Sequence, residues 1–373
     1  MVKTQSPEVD MDTLRTWLTN GDPVDVIDIR PQADYADWHI PGSRNVDAYD
    51  ALQANNPGAL ENFEPAHDNR PVVLVCFVGQ TSRRAARFLL ARDIPALSLL
   101  GGMKSWGMAW NTADAVVTNS GSRVIQVRRT GKGCLSYIVG SDGESLVIDP
   151  SIEPQVYLDI ADSCGWHITK VVDTHIHADH LTRGPALARQ TQANYYLPRQ
   201  DRVSFPCSAI EEGDTIRIGK GSLKVIHSPG HTLESECLLL DDEALLTGDT
   251  LFLNSVGRPD LNANVLEAET RARALYHSLQ RLTHLAPDIV ILPCHTNKPV
   301  AFDGVPVMGS LQSVIENNPS LRLGEEEFVR WMLANIPPNP PNYEIIVCRN
   351  ELGLLPDDSA PELEAGANRC AIA

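Results

Sequence analysis

Apolar residues along this chain fall into short runs with two different spacings. "VDVIDIR" (24–30), "PVVLVC" (71–76) and "ALSLL" (96–100) are nearly continuous apolar stretches of strand length, the pattern of strands buried on both faces. Between them, "DMDTLRTWLTNG" places its apolar residues at helical intervals and stops at a glycine, and "TSRRAARFLLARD" reads as a stronger helix. Strands alternating with helices over 1–112 predict a small α/β domain on a parallel sheet. The Thr-, Asn-, Ser- and Gly-rich "NTADAVVTNSGS" (111–122) shows neither spacing, so 113–122 reads as a linker.

A second block, 123–300, opens with strands close together: "SRVIQVRR", "LSYIVGS" and "ESLVIDP". The helix-like "QVYLDIADSCG" follows, then the strand that leads into "DTHIHADH" (173–180). "TIRIGKGSLKVIHS" and "ECLLLDDEALLTGD" predict hairpins turning at "GKG" and "DDE". Helix "AETRARALYHSLQRL" precedes strand "DIVILPC". Residues 301–357 turn helical again as a C-terminal extension, and the aperiodic tail 358–373, "DSAPELEAGANRCAIA", is expected to be disordered.

Composition narrows the function classes. With 43% hydrophobic and 21% charged residues the chain can bury full cores. No run reaches the roughly 18 apolar residues of a membrane helix, and "MVKTQSPEVD" has no apolar region of signal-peptide type, so no membrane partner is expected. Eight cysteines without framework spacing fit a reducing, cytoplasmic setting. A net charge of −17 argues against nucleic acid and means that an anionic substrate needs a local cation.

The candidate chemistry sits at strand ends. His175, His177, Asp179 and His180 crowd one exit, with His175 and His177 two apart so that a pleated backbone would send both the same way. His231 in "SPGHT", Asp249 in "LLTGDTLF" and His295 in "LPCHT" each close an apolar strand, so all can meet at one sheet edge. Such nitrogen and carboxylate donors suit zinc, iron or manganese. Isolated histidines such as His227, His277 and His284 read as ordinary surface or core residues. Cys294, beside His295, lies close to any metal there. In the first block, Cys76 ends a strand just before a helix that begins near Thr81 or Ser82. Inward backbone N–H groups and the helix dipole in that loop favour a thiolate, with Arg83 and Arg84 adding charge nearby.

The series H-x-H-x-D-H, then Gly-His, Gly-Asp and a last His, resembles the metallo-β-lactamase-fold superfamily over 123–300. The resemblance implies an αββα sandwich with metal at the sheet edges. "DVIDIRPQADYADWHIPGSRNV", "CFVGQTSRRAA" and "LLGGMKSW" resemble the three signature segments of rhodanese domains. That likeness implies that Cys76 carries a persulfide in a cup formed by Phe77, Val78, Gly79, Gln80, Thr81, Ser82 and Arg83, and the loop Cys76 to Thr81 has the six-residue length that family uses for sulfur substrates. Trp38 departs from the usual glycine at a position expected to be peripheral, with reshaping of the cup rim as the alternative.

Joined, the two halves resemble persulfide dioxygenase–rhodanese fusions. The implied reaction is oxidation of a low-molecular-weight, glutathione-type persulfide to sulfite by dioxygen, with thiosulfate as a sulfur donor to Cys76. The direction of sulfur flow between the domains stays open. The implied cofactor is one Fe(II) per chain on His175, His231 and Asp249, with His177, Asp179, His180 and His295 as supporting residues or as ligands of a second metal. "GRPDL" (257–261) makes Arg258 the expected substrate-binding cation, and the C-terminal extension resembles the tail of such fusions. Thr296 and Asn297 stand where the family often has Asp-Tyr, which leaves coenzyme A persulfide open as the substrate. The alternatives are a hydrolase of glyoxalase II type holding two Zn(II) per chain, and a non-catalytic sulfur carrier. The fold also leaves a homo-oligomer open.

Overall fold

A computed structural model describes residues 7–66, 70–296 and 299–372; Asn297 and the opening "MVKTQS" lie outside the described residues. The apolar runs of the first block form a five-stranded, all-parallel sheet in the order Glu8–Val9, Ala96–Leu99, Val72–Val75, Asp25–Asp28, Arg44–Asn45. Its central strands are buried at every position, because helices cover both faces and split the core into two clusters.

The second block is the expected four-layer sandwich. A seven-stranded sheet and a six-stranded sheet face each other across a core that includes Leu135, Val139, Leu146, Leu223, Leu238 and Leu292. Helices Pro154–Ser163 and Gly184–Thr191 cover the outer face of the first sheet. Val265–Leu282, Leu311–Asn317 and Glu325–Ala334 cover the second. Both hairpins form where predicted, turning through Gly219 at φ 51° and through Asp241 and Asp242 at φ 51° and 59°. Helix Val265–Leu282 starts at a capping box between Asn264 and Glu267. Among the described residues no helix is long and apolar enough to cross a membrane, and all eight cysteines are free.

Two sequence expectations fail. Residues 113–122 are not a linker: Asn111–Val117 is the edge strand of the seven-stranded sheet, paired antiparallel with Arg123–Arg129. Thr112 and Asp114 face solvent on this edge and Asn111 is buried against Arg128, which weakens the hydrophobic signal without breaking the ladder. The domains therefore abut without a tether. Trp38 Nε1 donates to Gly131 O at 2.7 Å, and a Cβ on Gly131 would lie 1.8 Å from Trp106 O. Trp38 thus braces the domain junction.

The tail 358–373 is not disordered over its described part. Ala360–Leu363 is a helical turn, and Ala371–Ile372 pairs with Val256–Gly257. Between them Glu364, 1% exposed, is paired with Arg129 and Arg183 and accepts the Leu181 amide at 3.0 Å. Lys104 of the first domain binds Glu362, and Arg369 reaches Asp37, so the tail is clamped between both domains.

Burial pushes the Glu364 carboxyl up, but the charges of Arg183 and Arg129 outweigh it and hold its pKa at about 2. A depressed carboxylate stabilises the fold fully above its ordinary value of 4.5 and loses that contribution as pH falls towards about 2. Replacing Glu364 by Ala strands two buried guanidinium groups, at a cost of about 3–5 kcal/mol. Urea unfolding is expected to show that loss at pH 7, with wild type and E364A converging as pH drops below about 4.

Candidate metal centre and cysteine cup

The strand His167–Val172 stops short of the histidine cluster because the chain beyond it changes partners. Asp149, at the end of strand Glu144–Ile148, accepts the Thr174 amide at 2.7 Å and the Thr174 hydroxyl at 3.0 Å. With the pleat lost, His175 and His177 do not share a target. Their rings lie 4.2 Å apart and tilted by 60°, and His177 Nε2 turns to Asp149 at 3.1 Å.

His175 instead joins His231 and Asp249. The Asp249 Oδ2 atom lies 3.7 Å from His175 Nε2 and 3.5 Å from His231 Nε2. Donors about 2.0–2.2 Å from one ion would stand about 3.0–3.5 Å apart, so a modest contraction seats a metal. All three residues are buried, and among the described residues His175 Nε2 and Asp249 Oδ2 have no hydrogen-bond partner. The other ring nitrogens fix the tautomers: His231 Nδ1 donates to Arg258 O at 2.8 Å, and His175 Nδ1 to Thr174 Oγ at 3.0 Å. Burial, then the neighbouring His177, holds His175 well below its ordinary pKa, and burial likewise lowers His231. Burial opposes ionisation of Asp249, yet His295, His175 and His231 hold it below the usual carboxylate range. The set is therefore neutral imidazole, neutral imidazole and carboxylate, the protonation a metal requires. Gly248 sits at φ 49° just before Asp249, where a Cβ would lie 2.7 Å from Thr174 Oγ1.

Asp179, His180 and His295 form a separate group with Cys134, a residue the sequence reading did not single out. His295 has both nitrogens engaged, Nε2 with Asp179 at 2.9 Å and Nδ1 with Asp249. Burial disfavours its charge, but the two carboxylates raise its pKa well above the ordinary value, making it an imidazolium bridge. His180 Nδ1 donates to Asp179 at 3.0 Å, while among the described residues His180 Nε2, on the side of Cys134, and His177 Nδ1 are buried without a hydrogen bond. Asn350 and Asn368 were also missed. Asn350 donates to the carbonyls of His177 and His180, and Asn368 to Asp179 at 3.0 Å. Asp149 carried the one available signal, a carboxylate ending an apolar strand, as Asp249 does.

Arg258 does not meet its expected role. Its side chain is fully buried, and its donors go to Asp260, Asn339 and the carbonyls of Pro337, Pro338 and Arg369. No donor remains for a substrate. The residue ties the C-terminal segments down and presents its own carbonyl to His231.

The loop after Cys76 closes as a cup. Cys76 Sγ accepts N–H groups from Gly79 at 3.2 Å and Ser82 at 3.4 Å, with the Ser82 hydroxyl at 3.3 Å. Gly79 at φ 81° caps helix Gln80–Leu90, one residue before the expected start. Phe77 and Val78 are exposed at the rim, Gln80 faces solvent, and Thr81 accepts from Gln53. Arg83 braces the loop from outside through Gly79 O and Glu8, and Arg84 reaches Leu52 O, so neither charge points at the sulfur.

Residues 10–109 match the rhodanese-like domain family and residues 129–295 the metallo-beta-lactamase superfamily. The persulfide dioxygenase ETHE1, mitochondrial, of Mus musculus is 30% identical over 262 residues, 64% of this chain and 96% of that protein. The hydroxyacylglutathione hydrolase of Maricaulis maris is 35% identical over 156 residues, 41% of this chain, which spans 57% of that relative's length. Among solved structures, ETHE1 from Myxococcus xanthus superposes with a TM-score of 0.54 at 29% identity, covering 61% of this chain and 96% of that one. A metallo-beta-lactamase from Staphylococcus aureus gives 0.58 at 27% identity, covering 62% and 73%. The chain belongs to the metallo-beta-lactamase superfamily, within the family that includes the persulfide dioxygenase ETHE1, and carries a rhodanese-like domain ahead of it.

Proposed function

We propose that this protein is a mononuclear iron persulfide dioxygenase coupled to sulfur transfer at Cys76. The observation that carries this reading is the uneven engagement of the cluster. His175 Nε2 and Asp249 Oδ2 face each other and His231 Nε2 with no hydrogen-bond partner among the described residues, while His295 has both nitrogens engaged, by Asp179 and Asp249. A dizinc hydrolase would need His295, with Asp179 and His180, for its second ion. Two nitrogens and one carboxylate on one side of a metal match the facial triad of non-haem iron oxygenases. The alternative rests on the hydroxyacylglutathione hydrolase relatives.

A ferrous ion held by His175, His231 and Asp249 would supply open positions for a persulfide and dioxygen and a redox-active centre through which the sulfur's electrons reach the oxygen. The overall balance is RSSH + O2 + H2O giving RSH, sulfite and two protons. The chain's own contribution is positioning and exclusion of water. Arg258 O and Thr174 Oγ hold the imidazole rings, and Ile176, Ala178 and Leu261 line the small cavity at His231. In the cup, the Cys76 thiolate attacks the sulfane sulfur of thiosulfate and releases sulfite. The resulting Cys76 persulfide passes its outer sulfur to a thiol, giving RSSH and restoring Cys76. The N–H groups of Gly79 and Ser82 are placed to stabilise the anionic sulfur at each stage.

Three outcomes test the reading. Iron-loaded protein given glutathione persulfide should consume oxygen and form sulfite in equal amounts, and His231→Ala should lower the rate at least about a hundredfold. Oxygen-independent release of thiol from a thioester, without persulfide oxidation, would favour the hydrolase instead. Cys76→Ser should abolish thiosulfate-to-thiol sulfur transfer while leaving persulfide-dependent oxygen uptake within about twofold of wild type.

A further inference from the structure

With Arg258 committed to the fold, the cluster needs another cation to receive an anionic substrate against the net charge of −17. The small cavity beside His231 contains one. Its wall includes Leu261, Asn262, Arg271 and Tyr343. Asn262 and Tyr343 also line a neighbouring cavity of about 640 Å3, whose walls include Leu333, Ile336 and an Asp260 carboxylate neutralised by Arg258, so the two adjoin. Together they provide a narrow end at a candidate metal ligand and a wider chamber for the rest of a molecule.

Charges along this path are unequal. Arg202 is neutralised by Glu351 at 2.7 Å and by Glu234 at 3.3 Å. Arg271 is half-buried on helix Val265–Leu282 and donates one hydrogen bond, from Nη1 to Leu261 O at 2.9 Å. Among the described residues it has no ion pair. The Leu261 carbonyl holds the guanidinium in place and leaves the other donors uncommitted, in the fork geometry that matches a carboxylate.

We propose that Arg271 anchors a carboxylate of the thiol carrier whose sulfur enters the narrow end at His231. The substrate class is then a carboxylate-bearing, low-molecular-weight persulfide of glutathione type, rather than a neutral or cationic one. The inference rests on the reading of this centre as a site for a thiol-derived substrate, and it concerns the carrier's anion, whichever bond reacts.

Calorimetric titration of metal-loaded protein under nitrogen, with reduced glutathione and with its diethyl ester, tests this without turnover. The expected result is a glutathione Kd about tenfold tighter than that of the ester. Arg271→Gln should bring the two values together with unchanged metal content, and Arg271→Lys should restore part of the difference. Equal affinity of the unaltered protein for glutathione and its ester would overturn the proposal, as would a glutathione Kd unaffected by Arg271→Gln. Arg271-dependent binding of coenzyme A with no binding of glutathione would overturn the carboxylate assignment. Arg271-dependent glutathione binding in protein that oxidises no persulfide would sink the dioxygenase reading and support this one.

Discussion

The structure depends on two buried polar atoms that nothing among the described residues satisfies, His175 Nε2 and Asp249 Oδ2. A buried group left without a partner costs about 1–3 kcal/mol, and more when it is charged. Here the surroundings hold that condition in place instead of relieving it. Thr174 takes the second nitrogen of His175, Arg258 O takes that of His231, and His295 takes the other oxygen of Asp249. What remains is a pair of nitrogens and an oxygen facing one another, an arrangement that a cation stabilises and that the fold alone does not.

Much of the rest serves to hold that edge closed. Asp149 redirects the chain after strand His167–Val172, and Asn350 ties the carbonyls of His177 and His180. The C-terminal segments pass over the same region, where Cys370 O accepts the Arg258 amide and Asn368 reaches Asp179. Because Lys104 and Asp37 also grip this tail, the cysteine domain and the metal edge share one structural element. The arrangement gives the fusion a physical basis beyond covalent linkage.

The sequence displayed the strands, the hairpins and the strand-end donors because each is written in local periodicity. The strand-end donors could be placed at one sheet edge for that reason; the grouping of His175, His231 and Asp249 was implied by the family resemblance, and the structure brings those three together. Features set by distant partners were not legible. Glu364 looks like one acid in a polar tail until Arg129 and Arg183 are seen on either side of it. Arg258 looked like a substrate cation because its neighbours fit a motif, whereas carbonyls about 80 and 111 residues away decide its role. Trp38 likewise takes its role from Gly131, 93 residues on. Cys134 gave no signal, since a cysteine opening a strand is usually packing.

The account stands or falls on how many ions the edge takes and of which kind. X-ray absorption and metal counting on protein isolated without air measure this directly. The account predicts one iron per chain, bound by two imidazole nitrogens and one carboxylate oxygen. Two zinc ions about 3.5–4 Å apart in catalytically competent protein, with His295 drawn off Asp179 to bind one of them, would contradict it.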